Sequence, residues 1–171
     1  EQVARTLAAC HAQGVVHRDL KPANVLVDAQ GRARLLDFGL ARDVRRETRL
    51  TATGEVLGTP AFMAPEQVEG GTVDARADVY ALGAMLYQGL AGQPPFSGPL
   101  MKVLSDKVSR DPPAPSSLRV DVPPDLEALC RRAMARDPAG RHPHAGALAD
   151  DLARWLAGAA IPALEAARRR R

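Results

Sequence analysis

The chain has 171 residues, 46% hydrophobic and 25% charged, with a net charge of +3. That is one domain's length with enough apolar content to bury a core, which excludes a disordered class. A mildly basic balance suits an anionic ligand without calling for nucleic acid, and no apolar run reaches the ~18 residues of a membrane span.

Between residues 2 and 12, Val3, Leu7 and Cys10 fall on one helical face, and Gly14 is the stop. Val25–Val27 and Arg34–Leu36 read as short strands. Asp28-Ala29-Gln30-Gly31 supplies the turn between them, so the pair is expected to form a small β hairpin. Residues 40–63 are polar and aperiodic, a long loop of the kind that carries function.

From Ala75 the stripe Val79, Leu82, Leu86 and Leu90 predicts a helix closed by Gly92 and Pro94-Pro95. Leu100, Val103, Leu104 and Val108 predict the next helix, followed by a stiff proline-rich connection over 111–117. Leu126, Leu129, Cys130 and Ala133 mark a third helical face, and Leu148, Leu152, Trp155 and Leu156 a fourth. Residues 158–171 read as a basic tail or linker ending in Arg168 to Arg171. The fold class is therefore α+β, mostly α.

Aromatic residues make up only 4%, so aliphatics and alanine must fill the core. Cys10 and Cys130 show no metal or disulfide spacing and read as small buried hydrophobes. His142 and His144 lack a third ligand nearby, and read as surface or helix-entry residues.

Three blocks carry chemistry. His17-Arg18-Asp19-Leu20-Lys21-Pro22-Ala23-Asn24 is followed, thirteen residues after Asn24, by Asp37-Phe38-Gly39, and further on by Ala64-Pro65-Glu66. Taken singly, an Asp or Asn after a short strand is usually a turn former. Together and in this order, the blocks resemble the catalytic loop, metal-binding loop and activation-segment end of protein kinases.

Over residues 1–157 the order of elements is similar to the C-terminal lobe of bacterial (Hanks-type) serine/threonine kinases. The catalytic loop would be 17–24 and the activation segment 37–66. Only sixteen residues precede His17, too few for an N-terminal lobe. The expectation is a truncated catalytic domain with that lobe absent, inactive by itself. Abundant Arg and Ala with few Lys fit a GC-rich bacterial source, on composition alone.

The resemblance implies transfer of the ATP γ-phosphate to Ser/Thr hydroxyls of proteins, with Mg²⁺ or, in its place, Mn²⁺. Asp19 matches the base that orients the substrate hydroxyl, and Lys21 the cation on the transferring phosphate. Asn24 and Asp37 match the metal ligands, apt oxygen donors for a hard cation. Leu26 matches the floor under adenine, and a hairpin core role is compatible with that. Thr59, in Gly58-Thr59-Pro60, matches the substrate platform. Thr51 and Thr53, with Thr48 behind them, are the phosphorylation candidates beside Arg18.

His17 and Phe38 match structural spine residues; a general-base His17 is the competing reading. Glu66 and Arg141 match a buried ion pair. Asp78 matches an acid that caps backbone amides of the catalytic loop.

Two rivals stand beside the kinase reading. One is a catalytically silent pseudokinase or scaffold, against which Asp19, Lys21, Asn24 and Asp37 are all intact. The other is a small-molecule phosphotransferase, which Arg18, Phe38-Gly39 and Ala64-Pro65-Glu66 fit poorly. The expected partners are protein substrates and the absent N-terminal lobe, with no nucleic acid. A cytoplasmic location is expected, with a membrane reached only through segments outside this chain.

Overall fold

The structure, a computed structural model, describes residues 1–36, 60–162 and 164. Helix α1 spans Gln2–Ala12. Strands β1 (Val25–Val27) and β2 (Ala33–Leu35) follow, with a short 3₁₀ turn at Pro22–Asn24 before them. After a 3₁₀ turn at Pro60–Phe62 come α2 (Pro65–Glu69), α3 (Arg76–Ala91) and α4 (Leu100–Ser109). The chain then forms α5 (Pro124–Ala133) and α6 (Ala145–Leu156). The described residues are thus mostly helical with one two-stranded antiparallel sheet.

The hairpin pairs Val25 with Leu35 and Val27 with Ala33. The second strand therefore begins one residue earlier than Arg34–Leu36. The turn is organised by Asp28, whose carboxylate accepts the Gln30 and Arg32 amides at 3.0 and 2.9 Å. Gly31 takes the left-handed φ of 74° that this turn needs. Gln2 ties the hairpin to α1: its amide donates to the Gly31 carbonyl and accepts the Ala33 N–H.

Helix α3 lies in the centre. The stripe Val79–Leu82–Leu86–Leu90 is only one flank of what it buries. Ala77, Asp78, Val79, Tyr80, Ala81, Gly83, Ala84, Tyr87 and Ala91 are all buried, whereas Leu82, Leu86 and Leu90 are partly covered. A helix enclosed on most sides loses the one-faced periodicity on which such a reading depends.

One side of α3 packs Tyr80, Ala84, Tyr87 and Ala91 with Phe62, Cys130 and Met134. Its other side packs Val79 and Ala81 with Leu7, Leu20, Ala133, Ala145 and Leu148. Alanine and glycine at these contacts let the helices approach closely, which is how a chain poor in aromatics fills its core. A Cβ built on Gly83 would sit 2.8 Å from both the Ala133 Cβ and the Met134 Cγ.

Helix α5 starts with Pro124 in its first turn, followed by Asp125 and Glu127, and carries Arg131 and Arg132 in its last turn. Each charge suits its end of the helix dipole. Cys130 is fully buried and its thiol meets the Gly83 carbonyl at 3.4 Å; burial pushes that thiol up to about 12. Leu156, expected in the last apolar face, is 67% exposed, whereas Leu148 is buried.

His144 caps α6, accepting the Ala147 N–H at 3.1 Å. His142 is not at the surface. It is fully buried, 3.3 Å from the Asp151 carboxylate, and burial lowers it to about 4. No metal-holding cluster of His, Cys, Asp or Glu occurs among the described residues, and no described helix is long and apolar enough to cross a membrane.

Candidate active site

The loop between α1 and β1 holds its reactive groups on a fixed backbone. Leu20 is buried and anchors it in the core beside Leu7 and Val79. The anchor at the other side is Asp78, in the first turn of α3 and 1% exposed. Its carboxylate accepts the His17 N–H at 2.8 Å and the Arg18 N–H at 2.9 Å. The His11 Nε2 lies 2.8 Å from the same carboxylate. A carboxylate only accepts, so His11 carries its proton on Nε2.

His17 is fully buried. Its Nδ1 accepts the Asp19 N–H at 3.3 Å, so its Nε2 is the donor to the Leu36 carbonyl at 3.1 Å. This ring ties the loop to the residue that leads into Asp37. That placement fits a structural part for His17 and gives it no free nitrogen for base chemistry.

The Asp19 carboxylate and the Lys21 ammonium meet at 2.8 Å, both partly exposed. Asn24, 7% exposed, donates its Nδ2 to the Asp19 carbonyl at 2.8 Å. That commitment leaves Oδ1 as its side-chain atom for a cation, and oxygen is the donor that Mg²⁺ prefers. The Leu36 N–H donates to the Asn24 carbonyl at 2.8 Å, so the end of the hairpin is tied to the end of this loop.

Leu26 is 55% exposed and Val27 68%, so Leu26 is not a hairpin core residue. Val25 and Leu35 pack inward instead. Leu26 presents its apolar side chain to solvent.

Helix α2 reaches the loop through Gln67, which donates to the Arg18 carbonyl. Glu66 and Arg141 form a two-pronged ion pair with both N–O distances at 2.7 Å. Arg141 is buried, and also donates to the carbonyls of Ala135, Arg76 and Arg136. Asp37, Phe38, Thr51, Thr53 and Thr59 lie outside the described residues, as does Thr48.

Three residues escaped the sequence reading. Gln67 donates from Nε2 to the Arg18 carbonyl at 2.8 Å and accepts the Ala64 N–H at 2.9 Å. The signal available was a glutamine at the third helical position after Ala64, the reaching-back half of a capping box. Lys107 is fully buried on α4 and donates to the Ala61 carbonyl at 2.8 Å. Its ammonium sits 4.9 Å from the Tyr80 ring centre and 5.3 Å from that of Phe96. His11 looked like an ordinary helix residue.

Residues 1–152 match the protein kinase domain family. The chain is 40% identical over 149 residues to the serine/threonine-protein kinase PknB of Mycobacterium leprae, covering 86% of this chain and 24% of that protein. It is 41% identical over 157 residues to the serine/threonine-protein kinase PknL of Mycobacterium tuberculosis, covering 91% of this chain and 39% of that protein. This chain thus spans between a quarter and two-fifths of the length of these relatives. On the strength of the domain match, with the loop geometry in agreement, the chain belongs to the protein kinase family.

Proposed function

We propose that this chain is the C-terminal lobe of a bacterial serine/threonine protein kinase that transfers the γ-phosphate of ATP to protein hydroxyls. The lobe would be residues 1–157, followed by a tail over 158–171. The observation that carries the reading is the Asp19–Lys21 pair at 2.8 Å, on a loop whose backbone is clamped by Asp78.

In this reading Asp19 orients the substrate Ser or Thr and accepts its proton as oxygen attacks phosphorus. Lys21 sits where the transferred phosphoryl group gathers negative charge. Asn24 and Asp37 would hold Mg²⁺, which when bound neutralises phosphate charge. Leu26 would lie under adenine, and Thr59 would shape the platform for the substrate protein. Transfer depends mostly on positioning, so the 171 residues alone would be inactive until an N-terminal lobe covers the triphosphate. The partners are protein substrates, and we place the lobe in the cytoplasm.

Phosphorylation at Thr51 or Thr53 would activate the enzyme by pairing with the exposed Arg18. Mass spectrometry after incubation with Mg-ATP should find phosphate on one or both, and full activity of a T51A/T53A enzyme would refute it.

The test of the function is a radiolabelled transfer assay on the full-length protein containing this chain, beside its Asp19→Asn variant and beside the short chain. Transfer to protein that is lost in Asp19→Asn supports the reading. Absence of transfer despite folding and Mg-ATP binding would favour a silent scaffold. Robust transfer by the short chain would refute the requirement for a second lobe.

A further inference from the structure

Arg18 is the only non-glycine residue with a positive φ among the described residues, at 67°. An L-residue avoids that region, so it stays there only when its surroundings fix it. Two side chains from distant elements do so. The Arg18 N–H goes to Asp78 on α3, and the Arg18 carbonyl goes to Gln67 on α2, at 2.9 and 2.8 Å.

The second bond acts closest to the chemistry. The Arg18 carbonyl and the Asp19 N–H belong to one planar peptide unit. Gln67 holds one edge of that plane, and the His17 ring holds the other through the Asp19 N–H at 3.3 Å. A plane held at both edges cannot rotate, and its orientation sets the direction in which the Asp19 side chain leaves the backbone.

Gln67 is itself well placed for this task. It is 7% exposed, and its Oε1 faces the Ala64 N–H. That fixes which end of the amide faces Arg18, because the flipped amide would set donor against donor and acceptor against acceptor. Its neighbour Glu66 is locked to the buried Arg141, so α2 cannot drift away from the loop.

We infer that Gln67 is a positioning residue that aims Asp19, coupling the end of the activation segment to the catalytic loop. This rests on the kinase reading above. The link makes the direction of Asp19 depend on whether α2 is docked. A shift of the segment before α2 would then be felt at the reacting group through one amide.

The test uses the full-length protein with Gln67→Met and Gln67→Glu. Methionine keeps the volume and removes both bonds. Glutamate keeps an acceptor for Ala64 but sets an oxygen against the Arg18 carbonyl. Both variants should lower kcat by about tenfold or more, with KM for ATP within about twofold of wild type, as expected for a misaimed group. Hydrogen exchange over residues 17–20 should speed up in both while the melting temperature still reports a folded protein.

Exchange and kcat that match wild type would overturn the inference. A lower melting temperature with unchanged kcat would overturn it too, since it would reduce Gln67 to packing. If the wild-type protein transfers no phosphate, the kinase reading fails by itself. The exchange comparison then still decides whether Gln67 holds the Arg18–Asp19 peptide.

Discussion

Arg141 and Glu66 are joined fork to fork, each guanidinium Nη within 2.7 Å of its own carboxylate oxygen. The Arg141 side chain is fully buried and that of Glu66 is 11% exposed. Removing Arg141 leaves the largely buried Glu66 carboxylate without the cation that pairs with both of its oxygens. Arg141→Ala should therefore cost about 3–5 kcal/mol in denaturant unfolding. It also strips donors from three carbonyls. Arg141→Lys should recover only part of the loss, because an ammonium lacks the planar fork. A loss below about 1 kcal/mol, the range of exposed pairs, would contradict this account.

Gly83→Ala tests the closest helix approach in the core. The added methyl would meet the Ala133 Cβ at 2.8 Å, an atom fixed to the α5 backbone that cannot rotate away. Helices α3 and α5 must separate, and the expected cost is about 1–3 kcal/mol. Alanine favours helices over glycine by up to ~1 kcal/mol, so an exposed site would be stabilised instead. Thermal unfolding gives the sign directly, and stabilisation would refute the close contact.

Lys107 predicts a pH dependence. Burial lowers it from 10.5 to about 7, while the Ala61 carbonyl and the Tyr80 and Phe96 rings act in the opposite direction. In the unfolded chain the amine stays protonated up to about 10.5, so above about 7 folding releases a proton. Stability should then rise with pH across that window, and the cost of the buried charge should be fully present below it. Between pH 7 and 8.5 the gain should be about 1–2 kcal/mol in the wild type. In Lys107→Met it should be near zero. The window avoids His142, at about 4 when folded, and Cys130, at about 12. Equal slopes in both proteins would show that Lys107 does not titrate there.

The sequence was most legible where chemistry is written in consecutive residues. Asp19, Lys21 and Asn24 sit within six positions, and the structure places them together. The amphipathic helices α4, α5 and α6 were also readable, because each has one wet face. The central helix was readable too, down to its stop at Gly92, but its buried face was not, since burial around most of its circumference erases the stripe.

Lys107 was invisible because a lysine in a polar-looking helix reads as solvent-facing. Among the described residues, the Ala61 carbonyl, the Tyr80 hydroxyl and the Tyr80 and Phe96 rings receive its ammonium. Gln67 and His11 were missed because their partners, Arg18 and Asp78, lie 49 and 67 positions away. Leu26 was compatible with two roles until the pairing of β1 and β2 put it outside.

The Asp78 carboxylate also bears on the order in which the chain takes shape. Its partners at His17 and Arg18 are 61 and 60 positions earlier in sequence. During synthesis from the N-terminus, the loop is therefore made well before the group that gives it its conformation. Until α3 has formed and docked, the Asp78 half of the clamp on the left-handed backbone at Arg18 is missing, and Gln67 holds only the carbonyl side. Contacts of such long range close late in folding, after the helices that deliver them. The catalytic geometry should accordingly be among the last features a nascent chain acquires.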